Sequence, residues 1–118
     1  MEYLDVEDLI GIMSSLRCGP VRDVGLLDSA AHRPQASVFG DDAYTTIEEK
    51  AAVLADSIVR DHPLVDGNKR LALAAMLTFL DLNGVIVDTD RAKLLRLTVD
   101  LAAGAISWED LARELEHI

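Results

Sequence analysis

The chain has 118 residues, with 21 acidic against 11 basic side chains and a formal net charge of -10. That length suits one domain, 1–118, with a single hydrophobic core, and with half the residues apolar an acidic disordered chain is excluded. A sequence pI of about 4.5 repels phosphate backbones and anionic lipid surfaces, so a general nucleic-acid binder or membrane-surface protein is excluded.

Apolar spacing is helical in most segments. Val6, Leu9, Ile10 and Met13 follow the i, i+3, i+4, i+7 rule, with Asp5 placed as N-cap. Asp28 caps or begins a short helix that stops near Pro34, because the residue before a proline disfavours helical torsions. Thr45 and Glu48 have capping-box spacing ahead of a helix carrying Ile47, Ala51, Leu54 and Ile58, which ends by Asp61 or His62 before Pro63.

Lys69 to Leu82 is apolar nearly all round, the pattern of a helix in the middle of a bundle. Asn83-Gly84 stops it, and Val85-Ile86-Val87 is a short extended connection. Asp88 or Thr89 starts a further helix ending near Gly104, and Ser107 caps a last one carrying Trp108, Leu111, Ala112 and Leu115. The expected architecture is all-α, about six helices around one buried central helix.

Cys18 is the single cysteine, so no internal disulfide forms and cysteine metal clusters are excluded. The first residues are acidic where a secretory signal is basic. The longest apolar run, Leu71 to Leu80, is about half the ~20 residues that span a bilayer. The expectation is a cytoplasmic protein with neither a nucleic-acid nor a membrane partner.

The chemistry concentrates in Asp61-His62-Pro63-Leu64-Val65-Asp66-Gly67-Asn68-Lys69-Arg70. These ten residues contain a proton carrier, a hard carboxylate, two cations and a Gly-Asn turn leading into a helix. Helix N-termini present free N–H groups and a positive dipole end to phosphates. Lys69 and Arg70 lie in that first turn, where the dipole disfavours cations unless an anion completes the site. Arg60, Lys69 and Arg70 against Asp61 and Asp66 give residues 60–70 a net +1, leaving -11 for the rest of the chain.

Each residue also has a plainer reading. His62 suits a surface loop, Asp66 can cap a helix, and Lys69 and Arg70 can be solvated charges. His32 and Arg33 read as helix-end charges, Arg60 as either a helix-end cation or a nucleotide contact, and Trp108 and Met76 as packing residues. Cys18 reads as an inert small residue with no basic cluster near it.

The string His62 to Arg70 resembles the signature of the Fic/Doc superfamily, in particular its Doc (death-on-curing) type. The likeness extends to Leu27–Gln35 with its Arg33-Pro34-Gln35 ending, the acidic-capped helix before the loop, and the Leu80–Gly84 helix end. Fic proteins that transfer AMP generally have Gly where this chain has Lys69, and a second Arg where it has Leu73.

The resemblance therefore implies a toxin that phosphorylates a Ser or Thr hydroxyl of a translation factor, elongation factor Tu by family likeness. It implies ATP and Mg²⁺ as cofactors and a cognate antitoxin as partner. AMP transfer to a protein hydroxyl, and a catalytically weak module that binds nucleotide or a partner, are the alternatives. A His62–Asp66 metal hydrolase would need a larger His-rich ligand set.

In these terms His62 is the general base. Asp66 holds the Mg²⁺. The backbone of Gly67, Asn68 and Lys69 cradles phosphate, while the Lys69 and Arg70 side chains offset charge on the transferring group. Two positions depart from the family pattern. Leu64 replaces the usual phenylalanine that anchors the loop, and Leu71 stands where many relatives have Thr.

The family's substrate flap falls on Ala36–Gly40, making Val38 and Phe39 candidate protein-substrate contacts, with simple packing an equal reading of Phe39. The family's inhibitory motif has no match: Thr45 and Glu49 have the spacing, but Lys50 follows. Restraint by a separate antitoxin is what the resemblance implies.

Overall fold

Five of the six helices start on a side-chain oxygen that accepts a backbone N–H of the first turn, as isolated helix ends require. The computed structural model describes all residues, Met1–Ile118. The chain order is α1 (Val6–Ser15), α2 (Val24–His32), a 3₁₀ turn (Arg33–Gln35), β1 (Ser37–Val38), β2 (Asp41–Asp42), α3 (Ile47–Asp61), α4 (Asn68–Leu82), α5 (Arg91–Ala102) and α6 (Trp108–Glu116). The two strands form an antiparallel hairpin with Ser37 opposite Asp42 and Val38 opposite Asp41. No helix is long and apolar enough to cross a membrane.

Caps and stops fall close to the sequence reading, with three displacements. α2 begins at its cap Asp23, five residues before Asp28, because the Asp23 carboxylate reaches the Leu26 amide. The capping box is Thr46 with Glu49, one residue beyond the expected pair: each side chain bonds the other's backbone, at 3.0 and 3.1 Å. Thr45 instead donates its hydroxyl to Glu49 at 3.0 Å. α5 is capped by Asp90 rather than Asp88 or Thr89.

There are six helices with an enclosed one among them, but that helix is α3. Every residue from Lys50 to Val59 is buried, whereas α4 leaves Leu73, Ala74, Leu77 and Thr78 partly exposed. Hydropathy points to α4 because α3 carries Lys50, Asp56 and Ser57, which look like a solvated face. Each finds a hydrogen-bond or ionic partner inside the fold instead.

Lys50 Nζ donates to the Pro34 carbonyl at 3.0 Å and to Asp42 Oδ2 at 3.3 Å, tying the 3₁₀ turn and the hairpin to α3. Arg33 donates to Asp56 at 2.8 Å and to Ser57 at 3.1 Å, and Arg60 meets the other Asp56 oxygen at 3.1 Å. Burial works against charge on Arg33, but its hydrogen bonds to Asp56 and Tyr44 outweigh that and raise its pKa. Arg33 and Arg60 are thus spent on one buried carboxylate. Trp108 packs edge-on against Tyr44 and Met76 is fully buried, as packing residues should be.

Candidate active site

α3 ends on a left-handed residue. His62 has φ 51° and ψ 60°, and Pro63 follows it and prevents the helix from continuing. The loop dives inward at Pro63 and Leu64, which are buried, and re-emerges at Val65 and Asp66. Leu64 is 1 % exposed within the core cluster, so it anchors the loop by burying its whole side chain, a gain of roughly 2 kcal/mol.

Asn68 closes the loop on itself. Its side-chain carbonyl accepts from the Leu64 amide and its NH₂ donates to the Leu64 carbonyl, both at 3.0 Å. The asparagine side chain is a clasp, and only its backbone remains available to a ligand.

Gly67, at φ 92°, is the N-cap of α4, the one helix with no side-chain cap. The first backbone bond into this end is Leu71 N to Gly67 O at 2.9 Å, which leaves the amides of Asn68, Lys69 and Arg70 ahead of it. Lys69 and Arg70 are exposed in that turn, and Arg70 pairs with Asp66 at 3.5 Å. The Asp66 side chain is 81 % exposed, so its carboxylate keeps free oxygen lone pairs toward solvent.

These groups converge on one open cleft of about 430 Å³. His62, Val65, Asp66, Gly67, Asn68, Lys69 and Arg70 line it, with Val59 from α3 and Val99, Ala102 and Ala103 from α5. All six residues given catalytic, phosphate or metal roles in the sequence therefore meet in a single site. Leu71 does not line it: the side chain is buried in the core, so this departure from the family pattern faces away from the chemistry. Val38 and Phe39 do not line it either. Val38 ends β1 and Phe39 stands at the hairpin tip, 102 % exposed at φ 52°, which overturns the packing reading of that residue.

A Mg²⁺ ion suits Asp66. Such an ion takes one or two carboxylates and completes its shell from phosphate and water. No three His, Cys, Asp or Glu side chains are grouped as a metal cage.

The sequence reading passes over the segment that braces the loop. Residues Gly19–Asp23 run alongside it, bonding Gly19 N to Asp66 O at 2.9 Å, Val65 N to Pro20 O at 2.9 Å and Arg22 N to Pro63 O at 2.7 Å. Val21 and Leu64 form an antiparallel bridge. Cys18 lies here too, against Gly67 and beside Arg70, so a cation stands nearer to it than the sequence suggested. Gly19-Pro20 signals a turn, but nothing local tells that the turn pairs with residues more than 40 positions away.

Two comparisons with known proteins bear on the family of this chain. A family model described as Fic/DOC matches residues 3–80. The chain is also 48% identical, over 120 aligned positions, to a protein named Toxin Doc from Mycolicibacterium smegmatis (strain ATCC 700084 / mc(2)155), covering 97% of this chain and 91% of the relative.

Proposed function

This chain belongs to the Fic/DOC family, and from that premise we propose that it is the toxin of a toxin–antitoxin pair, moving the γ-phosphoryl group of ATP to a protein hydroxyl. The observation that carries the reading is the convergence of His62, Asp66 and the uncapped N-terminus of α4 in one cleft. The acceptor class is a Ser or Thr of a translation factor, with elongation factor Tu the acceptor to test first.

The residues lining the cleft support the following division of labour. His62 stands exposed on the cleft rim, where an acceptor hydroxyl can reach it. The imidazole takes the hydroxyl proton as the hydroxyl oxygen attacks the γ-phosphorus, and the bond to the β-phosphate oxygen breaks to release ADP. Free amides at the start of α4 hold phosphate oxygens, and the Lys69 and Arg70 side chains offset charge on the group in transit. Mg²⁺, when bound at Asp66, supplies charge neutralisation for the nucleotide phosphates. Lys69 in place of a glycine supports phosphoryl rather than AMP transfer.

Val38 and Phe39 at the hairpin tip align the protein acceptor. Restraint in the cell comes from a separate antitoxin polypeptide. Glu49, the nearest approach to an inhibitory glutamate, has its carboxylate engaged by Thr45 and Thr46.

Expression of the protein alone tests this reading. Growth arrest that His62→Ala abolishes is expected. Arrest that persists unchanged in His62→Ala would leave a binding module without turnover.

A further inference from the structure

We propose that Arg22 is a positioning residue for His62, setting the place from which the imidazole collects the acceptor proton; this rests on the transfer reading above. Arg22 Nε donates to the His62 carbonyl at 2.7 Å, and Nη2 donates to the Asp61 carbonyl at 2.8 Å. The guanidinium fork thus caps α3 from another part of the chain. It satisfies two of the carbonyls that a helix leaves open and stands at the negative end of its dipole.

His62 needs such support. It is a non-glycine residue in the left-handed region immediately before a proline, a position that favours extended torsions. Backbones of this kind persist where their surroundings over-determine them. The His62 side chain is exposed, so little packing holds its ring, and the course of the backbone decides where the imidazole stands.

The Arg22 and Asp23 amides add bonds to the Pro63 carbonyl, at 2.7 and 3.1 Å, so the clamp grips three consecutive carbonyls, those of residues 61 to 63. Arg22 itself does not line the cleft. Its effect on transfer must pass through His62.

The test is a double-mutant cycle, with Arg22→Gln and Arg22→Lys each made in the wild type and in His62→Ala. Transfer from ATP to purified elongation factor Tu is measured together with amide hydrogen exchange. Lysine keeps the charge and the aliphatic stem but lacks the planar fork.

Either Arg22 change should lower kcat by roughly 10- to 100-fold, as misplacement of a reacting group does, with KM for ATP within about twofold. In the His62→Ala background the same change should alter residual transfer by less than about twofold, because residues acting as one unit are not additive. The His62 amide should exchange at least about tenfold faster in both Arg22 variants.

An unchanged kcat, or an equal loss in both backgrounds, overturns the proposal. If the wild type transfers nothing to elongation factor Tu, the functional reading fails at that acceptor. Exchange then decides the positioning claim separately, and an unaltered His62 amide in Arg22→Lys overturns it.

Discussion

Cys18 and Gly67 touch so closely that a β-carbon on Gly67 would lie 2.6 Å from the cysteine Sγ and 2.7 Å from its Cβ. The glycine also holds φ 92°, outside the range of ordinary L-residues. Both facts concern the residue from which α4 begins. Gly67→Ala is therefore expected to cost about 2–3 kcal/mol, from strained torsion plus overlap. Denaturant unfolding measures it. Adding Cys18→Gly should recover the steric part while leaving the torsional part.

Arg33 and Arg60 share Asp56 unequally. Asp56 is 3 % exposed, the Arg33 side chain 28 % and Arg60 62 %. Removing the more buried partner strands a buried carboxylate, whereas an exposed partner contributes little. Arg33→Ala should destabilise by about 2–4 kcal/mol and Arg60→Ala by less than about 1 kcal/mol. Equal losses would show that the pairing is not what holds Asp56.

Glu49 supplies the acid-sensitive element. Slight burial opposes its charge, but hydrogen bonds from the Thr46 amide and from the Thr45 and Thr46 groups outweigh it and lower its pKa. A carboxylate depressed in the folded state contributes stability above its ordinary range, near pH 4.3, that is lost as pH falls through the lower folded value. Glu49→Gln should therefore lose less stability than the wild type on acidification from about pH 5 to pH 3. Thermal midpoints across that window provide the check.

If Phe39 contacts the protein acceptor as proposed, its substitution separates acceptor recognition from folding. It is fully exposed in a left-handed conformation that asparagine tolerates better than phenylalanine. Phe39→Asn should leave the thermal midpoint unchanged or raised. It should lower kcat/KM for the protein acceptor about tenfold, the loss of one modest anchor of about 1.4 kcal/mol. Affinity for ATP should not change.

What could be read from the residues was mostly what is local. Asp5, Ser107, Pro63 and Asn83-Gly84 state their helix boundaries through their own chemistry, and the string from His62 to Arg70 supplies every polar residue lining the cleft. Two kinds of information were not local. Lys50 and Asp56 look solvated until Pro34, Asp42, Arg33 and Arg60 arrive from elsewhere, so hydropathy alone points to α4 rather than α3 as the enclosed helix. The brace formed by Gly19–Asp23 depends on backbone pairing across 40 or more positions, which side-chain patterns do not encode.

The proposed phosphate site is local. It is a helix end in which Lys69 and Arg70 surround free amides, inside a chain whose remaining charge is negative. On the proposed function, short-range contacts rather than a global field would hold a nucleotide there.

The group transferred distinguishes a kinase from an AMP transferase. Purified protein is incubated with elongation factor Tu and ATP carrying label in either the α or the γ position. Label from the γ position alone should appear on the acceptor, and His62→Ala should reduce it by roughly 10²-fold or more. Label arriving from the α position would contradict phosphoryl transfer and assign AMP transfer instead.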